Sequence, residues 1–176
     1  MLNYRLAKMD EVALIEALIR KSALALQSDD YSRAQIEGAL GTVFGVDTQL
    51  IKDETYYAVD LEGQLVACGG WSRRQTLFGA DAAKTQADPL LDPEIDAARI
   101  RAFFVHPEFA RRGIGNELIR LSETAAAELG FKRMELVATL SGERLYASVG
   151  YKPLKHYQLD LVNDETMPVV SMGRAL

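Results

Sequence analysis

Residues 99–121 read RIRAFFVHPEFARRGIGNELIRL, and the rest of the chain is organised around them. The run has three pieces. Residues 100–105 are β-branched and aromatic, as a buried pleated segment requires. Pro107 then stops the strand, because it has no N–H to give to a ladder. The sequence Arg111-Arg112-Gly113-Ile114-Gly115-Asn116 leads into a helical pattern with Ile114, Leu118, Ile119 and Leu121 on one side. Glycine lets backbone approach a ligand closely, and the first turn of a helix carries free N–H groups and a positive dipole end. Two glycines at a helix start, preceded by two arginines, therefore make an anion cradle, for phosphate above all. The competing reading is an ordinary strand–turn–helix whose glycines serve only close packing.

Two nucleotide motifs are excluded by spacing. A dinucleotide fold needs G-x-G-x-x-G after its first strand. Here Leu118 occupies the third glycine position and the strand lies past the middle of the chain. A nucleotide-triphosphate loop needs Gly-Lys, and none follows. The run instead resembles the coenzyme A loop of the GCN5-related N-acetyltransferases (GNAT), V-x-P-x-x-x-x-x-G-x-G. One departure is Ala110, where that family usually begins its loop with Gln or Arg; Arg111 and Arg112 are the neighbours that can cover the loss. A second motif agrees. Leu145-Tyr146 followed by Gly150-Tyr151 resembles the family's closing L-Y-x-x-x-G-[FY], with Thr139 standing where an Asn is usual.

The resemblance covers nearly the whole chain and implies a fold: one α/β domain over residues 1–176, with a mixed, mostly antiparallel central sheet splayed at its central strand and flanked by helices. It also implies a chemistry, transfer of an acetyl group from acetyl-CoA to a primary amine. Arg111, Arg112, Gly113, Ile114, Gly115 and Asn116 would hold the pyrophosphate, and the backbone of Phe103, Phe104 and Val105 the pantetheine amides. Direct transfer in a ternary complex draws most of its rate from holding the two substrates together. Tyr146 is the candidate general acid, since a phenol with pKa near 10 is protonated at neutral pH and can protonate a leaving thiolate. The alternative is that its hydroxyl only anchors the cofactor sulfur. Glu135 and His106 are candidate bases, as are Glu94 and Asp96 if their loop folds inward. His106 leaves the strand at a proline turn, a position that usually faces solvent. Transfer without a protein base, through water, is also open. Tyr31 and Trp71 are candidate acceptor-side wall residues, each with core packing as its alternative.

Composition is consistent with this chemistry. The chain has 176 residues, 48% of them hydrophobic, enough for one domain with a sizeable core. A net charge of -5 argues against a nucleic-acid binder. Cys68 is the only cysteine and the histidines are two, so neither a disulfide framework nor a metal site is expected. No secretory signal and no membrane-length apolar run is visible, so a cytoplasmic enzyme acting on a small-molecule amine is expected, with a homodimer left open. A protein N-acetyltransferase or a non-catalytic acyl-CoA sensor are the rivals; a serine hydrolase is remote, since no G-x-S-x-G occurs.

Along the chain the expected order is β-α-α-β-β-β-α-β-α-β-β. Residues 3–7 form a strand, Asp10 caps a helix to about Leu26, and Ser32 caps a second towards Val43. Residues 55–59 and 65–71 pair through Glu62-Gly63, and Gly69-Gly70 marks a bend or a close backbone approach. Residues 77–79 are expected to finish that strand. Residues 80–97, with Asp92, Glu94 and Asp96, read as an acidic lid or rim beside the central strand. Gly130 ends the helix that begins at Gly113, residues 131–139 form a strand, and Gly150 closes the tyrosine helix. Residues 154–162 and 169–174 close the chain as a hairpin.

Overall fold

The computed structural model describes residues 1–84 and 88–176. Its first strand, β1 (Asn3–Leu6), runs antiparallel to β2 (Tyr56–Leu61), which forms a hairpin with β3 (Gln64–Ser72) through Glu62 and Gly63 in left-handed backbone. β3 then pairs antiparallel with the central strand β4 (Ala98–Val105). The second half of the sheet comprises β5 (Arg133–Thr139), β6 (Lys152–Asp160) and β7 (Thr166–Ala175), giving seven strands in the order β1-β2-β3-β4-β5-β7-β6. Only β4 and β5 are parallel; every other neighbour is antiparallel. The mixed, mostly antiparallel sheet expected from the sequence is the sheet observed.

Helices α1 (Val12–Leu26) and α2 (Arg33–Ala39) cover one face. The spacing of Ile15, Leu18, Ile19, Ser22 and Ala23 presents one buried stripe on α1, packed with Tyr56, Cys68 and Phe104. Burying Ile15, Leu18 and Ile19 contributes about 1.5–3 kcal/mol each before ordering entropy is subtracted. The other face is covered by α4 (Ile114–Glu128) and α5 (Leu140–Ser148), on cores containing Ile119, Met134 and Leu136 and, nearer β2, Leu118 with Val59 and Val66. Among the described residues no helix is long and apolar enough to cross a membrane.

Three local expectations need correction. An additional short helix, α3 (Thr48–Lys52), precedes β2; Asp47 caps it by accepting from the Gln49 N–H at 3.0 Å. Its five residues are too few to show a period in sequence. Asp10 does not cap α1. Glu11 does the local work, accepting from the Lys8 N–H at 2.9 Å and pairing with Arg5, so a 3-10 turn over Met9–Glu11 precedes the helix. Residues 77–79 do not continue β3, which ends at Ser72. Ser32 caps α2 as expected, through a reciprocal pair with Gln35.

Candidate active site

The two halves of the sheet part at β4. It shares only Ala98↔Met134 and Arg99↔Glu135 with β5, while β5 stays with β7 along its whole length. From Ile100 onwards, β4's backbone groups on that edge have no strand to pair with and need a partner. A β-bulge shapes the same stretch. The β3–β4 register shifts between Cys68 and Gly70, and Ala102 sits at φ 52° with its carbonyl accepting from the Tyr56 hydroxyl at 2.9 Å. The extra residue reverses the alternation of side chains. Arg101 and Phe104 are sent towards α1, Ile100 and Phe103 towards the opposite face. Gly69 and Gly70 make room for this: a Cβ on Gly69 would overlap the Phe103 ring, and one on Gly70 would strike the Thr55 carbonyl.

The parting opens a cleft of about 1090 Å³. Its walls are Phe103, Phe104 and Val105 of β4, then Arg111, Gly113, Ile114, Gly115 and Asn116, with the end of α1 and the start of α5 opposite. Gly113 is the N-cap of α4 at φ 79°, and no side chain caps the first turn, so its N–H groups are offered to the cleft end. Thr139 begins α5 by accepting from the Gly142 N–H at 3.1 Å, and Ser141 donates to Asp30 at 2.8 Å. Arg112 differs from the expectation. Its guanidinium lies over the Phe109 ring at 4.9 Å and donates to the Glu108 carbonyl, which turns it from the cleft wall that Arg111 lines.

A smaller chamber of about 160 Å³ continues from the cleft. The two share Gln27, Phe103, Phe104, Val105, Gly115, Thr139, Gly142 and Leu145, and the chamber runs on among residues that include Val43, Phe44, Leu77, Phe78, Leu159 and Val169. Tyr146 forms part of its wall, 8% exposed, with its ring 6.2 Å from Phe103 and edge-on to Tyr151 at 5.8 Å. Burial pushes the Tyr146 phenol well above its ordinary value. Its hydroxyl makes no hydrogen bond among the described residues.

Several other expected residues lie elsewhere. Glu135 sits at the last β4–β5 pair, before the strands part, and its carboxylate is 3.0 Å from Arg99 Nη1. His106 is buried and not turned to solvent: its Nδ1 accepts from the Glu108 N–H at 3.3 Å and its ring meets Phe109 edge-on. Neither lines the cleft or the chamber. Tyr31 is a strut: its hydroxyl donates to the Pro168 carbonyl at 2.7 Å and accepts from the Leu140 N–H at 2.9 Å. Trp71 is core, edge-on to Phe131. Of the acidic stretch, residues 85–87 lie outside the described residues. Asp92 and Asp96 close a turn on each other, and Glu94 pairs with Lys132 at 2.8 Å, beside the start of β5 and away from both cavities.

Sequence reading missed two features. Gln27, at the end of α1, lines both cavities, and its Oε1 is buried without a partner. No spacing could flag it, since its position depends on where α1 stops. The other was visible as a charge inside a strand: Arg101 is buried, 3.1 Å from Asp47, and donates to the Gly79 and Thr76 carbonyls at 2.8 and 3.2 Å. Lys84 joins Asp47 at 2.8 Å and Asp88 at 3.1 Å. This network fixes the segment carrying Leu77 and Phe78 to β4.

The arrangement joins a helix start suited to an anion, an unpaired strand edge suited to amide groups, and a smaller chamber with a phenol in its wall. The sequence profile described as the Acetyltransferase (GNAT) family matches residues 20–151. Among curated proteins none matches the chain. In three dimensions the chain is similar to a GCN5-related N-acetyltransferase from Rhodopseudomonas palustris, at 20% identity and a TM-score of 0.73, covering 99% of this chain and 95% of that one. It is also similar to the PaiA N-acetyltransferase of Thermoplasma acidophilum in complex with coenzyme A, at 12% identity and a TM-score of 0.65, covering 100% and 99%. The acetyltransferase YncA of Salmonella typhimurium, described as putative and solved with acetyl-CoA, matches at 14% identity and 0.61, covering 99% and 94%.

Proposed function

The chain belongs to the GNAT acetyltransferase family, and from that premise we propose that it moves an acetyl group from acetyl-CoA to the primary amine of a small molecule, by direct attack in a ternary complex. One observation carries the reading: the unpaired edge of β4 leads from the Gly113–Gly115 helix start to a smaller chamber whose wall includes Tyr146. The cleft fits the donor by its own features. Gly113 leaves open space where a Cβ would stand, and α4's first N–H groups face a pyrophosphate-sized anion with Arg111 beside them. The unpaired β4 groups meet the pantetheine amides.

The donor, when bound, supplies the activated acyl group and a thiol leaving group. The protein's part is mainly positioning, worth up to about 7–11 kcal/mol when two reactants are held in reacting geometry. A backbone N–H of the Phe103–Val105 segment is suited to the thioester oxygen as it gains charge. Tyr146 is the group placed to protonate the thiolate: its phenol lies in the chamber wall and carries its proton throughout the neutral range, as an ordinary phenol does. No carboxylate or imidazole lines the chamber among the described residues, which favours an amine that arrives neutral over one deprotonated by a protein base.

The test is acetyl-CoA-dependent thiol release over separate pools of small amines and peptides, with acetyl-CoA binding followed by calorimetry. Turnover in the small-amine pool is the expected result. Turnover with peptides alone would overturn the small-molecule reading, and tight binding with no turnover in any pool would mark a sensor.

A further inference from the structure

We infer that the inner chamber holds the hydrocarbon part of the acceptor, and that the acceptor is a small primary amine whose substituent is apolar and carries no carboxylate. The inference rests on the acetyl-transfer reading and adds the substrate class to it. Beyond the junction the wall is Val43, Phe44, Leu77, Phe78, Leu159 and Val169. Not one charged side chain lines it among the described residues. Arg101 and Asp47 do not line it: the two side chains are 1% and 0% exposed and are paired with each other. An acceptor carboxylate would therefore lose its water and meet no cation, which a buried charge does not tolerate.

Size points the same way. At about 160 Å³ the chamber is smaller than the roughly 300–1,000 Å³ pockets of drug-sized ligands, so it suits a few carbons and not a folded peptide end. Three polar side chains interrupt the apolar wall, Thr139, Tyr146 and Gln27. Gln27 is 8% exposed, its Oε1 has no partner among the described residues, and it stands where cleft and chamber meet. A buried acceptor oxygen calls for a donor. The amine N–H, entering the junction to reach the thioester, supplies one, and the resulting hydrogen bond holds the nitrogen lone pair towards the acyl carbon.

Matched acceptors test this in the wild-type enzyme: butylamine against 4-aminobutanoate, and 3-methylbutylamine against leucine, read as kcat/KM by thiol release at fixed saturating acetyl-CoA. The member without a carboxylate should be favoured in each pair by about a hundredfold or more, as burying an unpaired charge demands. Equal use, or preference for the carboxylates, would overturn the inference while leaving acetyl transfer standing. Acetyl-CoA binding by calorimetry with no turnover of any of the four would overturn it too. Absence of acetyl-CoA binding would overturn both readings. Phe78→Arg places a cation on the chamber wall and should narrow the preference towards the carboxylates. Gln27→Leu should raise the amine KM and leave acetyl-CoA affinity unchanged; the reverse pattern would remove Gln27 from the acceptor side.

Discussion

The two cavities that meet at Gln27, Phe103 and Leu145 are built by opposite means. The outer cleft is made chiefly of backbone: an unpaired strand edge and a helix start, with one run of sequence from Phe103 to Asn116 supplying most of one wall. The inner chamber is made of side chains gathered from the end of α1, the loop before α3, the segment after β3, strands β4 to β7 and α5. Backbone groups recognise what every donor of one class shares, amides and phosphates. Side chains decide what distinguishes one acceptor from another. A fold can therefore keep its donor site while its acceptor chamber changes, and mutations in the two cavities should separate binding of the two substrates.

The largest expected effect lies in the chamber wall. Tyr146→Phe removes one hydroxyl and little volume, so folding and acetyl-CoA affinity should hold. If the phenol protonates the leaving thiolate, kcat and kcat/KM fall together by about 10²–10⁴-fold. Acyl donors with more acidic thiols should lose less. A fall below about threefold, with chemistry rate-limiting, would leave the phenol as an anchor only. Next is the support beneath the chamber. Asp47→Asn leaves Arg101 buried without its anion, and breaking a buried pair in this way costs about 3–5 kcal/mol. Urea denaturation should show that loss as a lower midpoint. A change under about 1 kcal/mol would mean the network does not hold the Leu77–Phe78 segment. On the donor side, a Cβ at Gly115 would stand 2.8 Å from Leu145 Cδ2. Gly115→Val should put side-chain atoms into the cleft wall at the helix start, seen as weaker acetyl-CoA binding with the amine KM little changed. An acetyl-CoA affinity equal to wild type would detach the loop from the donor.

The same contrast explains what could be read from the sequence. The outer cleft was legible because its chemistry lies in contiguous residues whose local conformation demands particular types: glycine at φ 79° in Gly113, proline after the strand, glycines at Gly69 and Gly70 where a ring and a carbonyl approach. The strand order and splay followed from the resemblance of the two motifs. The chamber was not legible, because whether Trp71 or Phe78 lines it depends on the angle between elements far apart in sequence. Trp71 and Tyr31 went to the core and to a strut for that reason. Glu135 was a fair candidate by residue type, yet its fate turned on the one residue at which β4 and β5 cease to pair. Pattern reading locates a strand but not where it parts from its neighbour.

The remaining prediction concerns pH, and it sharpens the contrast at the level of protons. The chamber wall holds no aspartate, glutamate or histidine among the described residues, and Glu135 and His106 are engaged outside it. An amine that must arrive neutral makes kcat/KM rise about tenfold per pH unit up to the amine's own pKa, near 10 for an alkylamine by analogy with lysine. The plateau should move with the acceptor: two amines whose pKa values differ by about one unit should give profiles displaced by about one unit. No fall in kcat/KM should set in below pH 10, because burial raises the Tyr146 phenol above its ordinary value and keeps its proton available. That same upward shift works against the fold at high pH. Burial disfavours the phenolate in the native state alone, so the stabilising contribution is complete below about pH 10 and is lost as pH climbs towards the raised folded value. Tyr31, pushed up to about 12 by burial, adds to the loss in the same sense. A break in kcat/KM near pH 6.5 or 4.3 that does not move between amines would identify an imidazole or carboxylate base and end the argument for a base-free chamber.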